Sequence, residues 1–161
     1  MKKCKLLSFD SSTKSTGYAL FVNGKYKETG CLNHTSVKDA DKRFVEMIKD
    51  ICQVIDKYAP DIVTWETPVV MRNAQVQRFL TMIVGAIICK CIEKNIFFYS
   101  FRPTEWRKLV SDNGEKIPRK RDELKAWGKE KVVKTFNVEV ENDDESDAIL
   151  IGQAYVNLYM R

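Results

Sequence analysis

Asp10, Glu66, Asp144 and Asp147 are four carboxylates standing where the chain's elements should begin or end. Acids gathered in that way have the chemistry of a magnesium site acting on phosphodiesters. Asp10 closes the apolar run Leu6-Leu7-Ser8-Phe9 and precedes the polar turn Ser11-Ser12-Thr13, which places it at the end of a first strand. Glu66 repeats the arrangement after Ile62-Val63-Thr64-Trp65, and Thr67-Pro68 stops that strand because proline has no N–H for a ladder. Asp144 and Asp147 open the last apolar-periodic segment, and their three-residue spacing puts both on one face of a first helical turn.

Each acid taken singly has a structural reading. Asp144 could serve only as an N-cap, and Asp10 as a turn residue bonding its own backbone. Glu66, next to Trp65 at the end of a buried strand, is harder to place that way, because a buried carboxylate needs a cation or a proton. As a set, the four point to metal-ion chemistry.

The elements that must position them are legible in outline. Lys5–Phe9, Gly17–Val22 and Tyr26–Leu32 read as an antiparallel meander, with Asn23-Gly24 as a hairpin turn. Phe44, Met47, Ile48, Ile51, Val54, Ile55 and Tyr58 recur at helical steps, and Pro60 lies just beyond. A strand at 62–65, a long helix at 73–94, a strand at 96–101, a basic helical region and a last helix at 144–159 complete the order. The expectation is an α/β fold in one domain over residues 1–161, with a mixed five-stranded sheet flanked by helices. At 161 residues and 44% hydrophobic content, the chain has enough apolar material for one core, burying about two thirds of its unfolded surface. The 73–94 helix is apolar round more than one face. Either a second copy covers the extra face in a two-fold dimer, or the helix is buried on two sides under the C-terminal helix.

The formal charge of +5 is unevenly spread. Residues 116–134 hold eight basic residues and three acids, whereas residues 137–147 hold six acids and no base. A basic segment beside an acidic one suits a phosphate backbone approached through metal ions, or else a solvated helix face next to an acidic loop. Cys4, Cys31, Cys52, Cys89 and Cys91 are odd in number and contain no C-x-x-C, and 89 and 91 fall on different helix faces. Reduced core thiols and a cytoplasmic location are expected. His34 is the one histidine, which leaves little for zinc or histidine general-base chemistry. No signal peptide is expected, and the apolar stretch 79–92, interrupted by Lys90, is expected to be too short for a membrane span.

Ser8-Phe9-Asp10-Ser11-Ser12-Thr13-Lys14-Ser15-Thr16-Gly17-Tyr18, Trp65-Glu66-Thr67 with Arg72-Asn73-Ala74, Pro103-Thr104-Glu105-Trp106-Arg107-Lys108, and Asp144-Glu145-Ser146-Asp147-Ala148 together resemble the RuvC family of Holliday-junction resolvases. The resemblance covers nearly the whole chain and implies the ribonuclease H-like fold. It implies two Mg²⁺ ions, replaceable by Mn²⁺, held by Asp10, Glu66, Asp144 and Asp147, with a 5′-phosphate and a 3′-hydroxyl as products. It also implies catalytic lysines at Lys108 and Lys129; the homodimer expected through the 73–94 helix rests on that helix's extra apolar face. Arg72, Arg107, Lys116, Arg119, Lys120, Arg121 and Lys125 are expected to meet the backbone of branched DNA, especially four-way junctions.

The chain departs from the family in two places. The region between Lys108 and Lys129 is longer, and Pro68-Val69-Val70-Met71 stands where some members carry an aromatic wedge. Without that wedge, looser selectivity among branched DNAs is expected. An RNA-directed nuclease and a non-catalytic branched-DNA binder are the alternatives. The turn at 10–17 also resembles the phosphate-binding turn of sugar kinases, but those need two such domains. A bacterial or a phage-encoded enzyme would suit a chain of this size.

Overall fold

A computed structural model describes residues 3–70 and 72–160. Five strands form one sheet: β1 (Lys5–Ser11), β2 (Ser15–Val22), β3 (Lys25–Asn33), β4 (Ile62–Glu66) and β5 (Phe97–Phe101). Their order is β3-β2-β1-β4-β5, with β1, β2 and β3 antiparallel and β4 and β5 running parallel to β1. The helices are α1 (Ala40–Tyr58), α2 (Ala74–Glu93), α3 (Pro103–Val110), α4 (Arg121–Phe136) and α5 (Asp143–Tyr159).

Both faces of the central strands are covered, which is why β1 reads as an almost unbroken apolar run. Leu7 and Phe9 join α1 and α2 in one cluster, while Leu6 joins α3, α4 and α5 in the other. The α1 face is held by Met47, Ile51, Val54 and Ile55, the helical stripe expected from periodicity. Asp39 caps this helix by accepting from the Lys42 N–H, and Ala59 ends it in the left-handed region just before Pro60. Asn23 and Gly24 both take positive φ, as the two-residue hairpin requires.

On the opposite face, α5 is pressed onto the sheet. Ser8, fully buried in β1, donates from its hydroxyl to the Ala148 carbonyl at 2.6 Å. A β-carbon on Gly152 would lie 2.3 Å from the Phe21 ring. This close packing sets the height and rotation of the helix that carries two of the four acids.

The structure corrects several expectations. β1 continues to Ser11, so Asp10 lies within the strand, paired with Gly17. The basic region is not one helix: α3 and α4 are separated by a connection at 111–120 that carries Lys116, Arg119 and Lys120. α5 starts one residue early, capped by Asn142, whose side chain accepts from the Asp144 N–H at 2.7 Å, so Asp144 is not the cap. α2 does not lie under α5; it packs on the other face beside α1, where Phe79 stacks on Phe44. The whole helix, longer than the 79–92 stretch read from sequence, is long and apolar enough to cross a membrane by length and composition. Phe79, Ile83, Ile87 and Cys91 are nevertheless buried within the protein, whereas Met82 and Ile92 are exposed.

Candidate active site

Asp10 and Glu66 are brought together by strand register. β1 and β4 are parallel neighbours with Phe9 opposite Trp65, so the next residue on each strand is an acid at the same edge of the sheet. Glu66 is the last residue of β4, and the Pro68 turn follows. The crevice beyond the carboxyl ends of parallel strands is where α/β sheets open toward a ligand.

The second pair arrives from the other side of the fold. Gly17 of β2, opposite Asp10, has no side chain, and the first turn of α5 rests directly on it. Gly128 of α4 makes a similar approach: a β-carbon there would lie 3.2 Å from Asp147 Oδ1. Asp144 and Asp147 thereby line the same cleft as Asp10 and Glu66, a space of about 430 Å³.

Neighbouring side chains orient these acids. Trp106 Nε1 donates to Glu66 Oε2 at 2.5 Å, and Arg107 Nη2 lies 3.8 Å from the same oxygen. The Arg107 guanidinium also sits over the Trp106 ring, 4.9 Å from its centroid. The Ser15 hydroxyl donates to Asp144 Oδ2. Ser15 is itself fixed by the β1–β2 turn, where its N–H and hydroxyl meet Ser12 Oγ.

The electrostatics are those of crowded carboxylates. Burial pushes Asp10 well above the usual carboxylate range, and the charges of Asp147, Glu66 and Asp144 push it further, against Arg107. Asp147 is pushed up to about 7, first by burial and then by Glu66. Glu66 and Asp144 are raised by burial despite the bonds from Trp106 and Ser15. Asp143, the next residue, goes the other way: its burial is outweighed by Lys125 at 2.6 Å and Lys129 at 3.1 Å.

Four acids whose ionised forms are disfavoured by burial, and at Asp10 and Asp147 also by the neighbouring carboxylates, make a site that favours added positive charge. An all-oxygen donor set fits a hard divalent cation such as Mg²⁺. Among the described residues no three potential ligands already meet in ligating geometry.

The basic residues divide by position. Arg107, Arg121 and Lys125 line the cleft. Lys108 is exposed and does not line it, because one step along α3 rotates the side chain away, so of this adjacent pair it is Arg107 that faces the acids. Lys129 is on the same face of α4 as Lys125 and is held by Asp143 and the Glu141 carbonyl rather than directed at the four acids. Arg119 borders a depression that shares Arg107 and Leu124 with the cleft. Lys116 is exposed on the connection, Lys120 pairs with Glu123, and Arg72 is exposed just before α2. Val69 borders the cleft and Val70 is 94% exposed, while Met71 lies outside the described residues. His34 faces Asp50 and Glu46 on α1. Cys89 is exposed and Cys91 buried, on different faces of α2.

Sequence reasoning did not single out Trp106, Ser15 or Gly17 individually, although all three fall inside the segments quoted for the resemblance. Trp127, buried in α4 and lining the cleft, lay in the basic run and carried no signal of its own.

The family model for crossover junction endodeoxyribonuclease RuvC matches residues 6–152. The RuvC endonuclease of Finegoldia magna is 23% identical over 156 residues, 94% of this chain and 92% of the relative. That of Caldicellulosiruptor saccharolyticus is 22% identical over 157 residues, again 94% and 92%. Among solved structures, T. thermophilus RuvC in complex with Holliday junction substrate superposes with a TM-score of 0.74 at 12% identity, covering 96% of this chain and 93% of that one. The Fowlpox virus resolvase in complex with its substrate Holliday junction DNA gives 0.67 at 12% identity, covering 98% and 99%. At such identities the structural likeness shows the fold.

Proposed function

Since the chain belongs to the RuvC family of crossover junction endodeoxyribonucleases, we propose that it is a metal-dependent endonuclease that resolves Holliday junctions and also cuts other branched DNA. The observation that carries this reading is the meeting of Asp10, Glu66, Asp144 and Asp147 in one cleft bordered by Arg107, Arg121 and Lys125.

The four acids would hold two Mg²⁺ ions, for which Mn²⁺ substitutes. When bound, the ions would activate a water for in-line attack and stabilise the departing oxygen, leaving a 5′-phosphate and a 3′-hydroxyl. The chain's own groups do the positioning. Trp106 and Ser15 fix one oxygen each of Glu66 and Asp144, so the carboxylates need little reorganisation. Arg107, next to Glu66, is placed to meet a phosphate oxygen as a bidentate donor. Arg121 and Lys125, with Lys116, Arg119 and Lys120 on the connection, draw the backbone in without reading bases.

A homodimer through the exposed side of α2, where Met82 and Ile92 stand, would present two clefts to two strands of a junction. The absence of an aromatic wedge at 68–70 supports selectivity looser than for the four-way junction alone. A cytoplasmic setting agrees with five free thiols.

The test is strand cleavage of labelled four-way, three-way and flap DNAs, linear duplex and RNA–DNA hybrid, with Mg²⁺, Mn²⁺ or EDTA and with Asp10→Asn. Metal-dependent nicks near the branch point that vanish in the variant support the reading. Cutting of the hybrid alone would assign an RNA-directed nuclease, and junction binding without cutting would assign a non-catalytic binder.

A further inference from the structure

The connection between α3 and α4 is ten residues long and carries Lys116, Arg119 and Lys120, yet two of its acidic side chains tie it to α4: Asp112, which meets Lys131 and Lys134, and Glu115. Glu115 Oε1 accepts from Trp127 Nε1 at 2.8 Å, and Oε2 accepts from Lys131 Nζ at 2.7 Å and from the Asp112 N–H at 2.6 Å. Lys131 is 6% exposed and also meets Asp112 Oδ2 at 3.0 Å. Trp127 is buried and forms part of the cleft wall. On its other side the connection reaches Arg107, for Ile117, Pro118 and Arg119 border a depression with that arginine.

A buried ammonium adds little net stability even when paired, and an apolar residue of similar volume would stabilise the site as well or better. Its use here is therefore better explained by the geometry it specifies. Lys131 fixes one oxygen of Glu115, the indole fixes the other, and the segment bearing the basic side chains takes one path past the cleft.

We propose that Glu115 is a positioning residue: acting through Trp127 and Lys131, it holds the basic connection in the path where Lys116 and Arg119 meet the DNA backbone beside the cleft. This rests on the nuclease reading above. The groups that would touch DNA are the basic ones; Glu115 touches none of it.

The experiment compares the full-length chain with Glu115→Ala and Glu115→Gln; glutamine keeps the volume and an acceptor for the indole. Binding of a fluorescent four-way junction is measured in EDTA from low to moderate salt, cleavage kinetics in Mg²⁺, and tryptic cutting after Lys116 and Arg119 without DNA. For Glu115→Ala we expect KM to rise on the order of tenfold, as for the removal of one or two charged hydrogen bonds, with kcat within about twofold. The slope of log affinity against log salt should fall by about one for each phosphate that the connection no longer reaches. Tryptic cutting in the connection should quicken, and Glu115→Gln, which keeps an acceptor for the indole but turns an NH2 toward Lys131 and the Asp112 N–H, should recover only a part of the slope. An unchanged KM and salt slope in Glu115→Ala overturns the proposal, as does a melting-temperature drop with no KM–kcat split. If the parent chain neither binds nor cuts junctions, the nuclease reading fails; unchanged tryptic cutting in Glu115→Ala defeats the tether on its own.

Discussion

A β-carbon placed on Gly17 would lie 2.0 Å from the carbonyl oxygen of Asp144, so β2 and the first turn of α5 meet backbone to backbone. Gly17→Ala must push the start of α5 off the sheet and carry Asp144 and Asp147 away from Asp10. The expected cost in stability is about 3 kcal/mol, the upper end for overpacking, read by urea denaturation. Cleavage should disappear even in conditions where far-UV circular dichroism shows the variant folded.

Trp106 gives its indole N–H to Glu66 at 2.5 Å. Trp106→Phe keeps most of the packing and removes the donor. By analogy with other groups that orient metal ligands, the Mg²⁺ concentration for half-maximal cleavage should rise about 10–100-fold. A Mg²⁺ titration that overlays the parent's would show that Glu66 needs no such support.

Without divalent cation the acid cluster should destabilise the protein as pH rises. A carboxyl whose folded pKa lies above its unfolded one holds its proton longer when folded, so its stabilisation is greatest in acid and is lost through the interval between the two. For Asp147, pushed up to about 7 by burial and then Glu66, that interval begins near about pH 4, the unfolded value. The melting temperature in EDTA should fall from about pH 5 to pH 7.5. Asp147→Asn should flatten the profile and melt higher than the parent at pH 7.5. Acids held low by lysines, such as Glu115 beside Lys131, lose their contribution only at more acid pH and do not mask this trend. A parent profile that rises across the interval would contradict it.

Arg107 and Lys108 are adjacent in sequence, but only Arg107 lines the cleft. Arg107→Ala should lower junction cleavage about 10²-fold, the loss of one charged donor near a reacting phosphate. Lys108→Ala should stay within about threefold of the parent, as a surface group that meets one phosphate at most. Single-turnover rates on one labelled junction decide between them.

Val70 is 94% exposed on the turn between β4 and α2. Val70→Phe adds a ring that a base can stack on, worth about 1–3 kcal/mol. The ratio of four-way to three-way junction cleavage should rise, and a panel of branched substrates measures it. An unchanged ratio would indicate that this turn does not reach the branch point.

The meander, its Asn23-Gly24 turn, α1 with its stop at Pro60, and the placement of Glu66 at the end of its strand were legible because each is written in consecutive residues. An apolar run, a turn or a proline, and a three- to four-residue period are local signals. Those signals also placed Asp144 and Asp147 together on one turn, and the motif resemblance supplied the expectation that all four acids meet.

The relations between distant elements were decided only by tertiary structure. Gly17 and Gly128 look like ordinary glycines until α5 is pressed against them. Arg107 rather than Lys108 faces the acids because Trp106 and Val110, buried in the core, fix the rotation of α3, and each step along a helix turns a side chain by about 100°. Lys129 reads as a free base until α4 lies beside Asp143, and Lys131 looks solvated until Glu115 folds back over it. Local pattern sets which elements form. The rotation, height and pairing of those elements come from packing between residues far apart in the chain, and no spacing along the sequence records it.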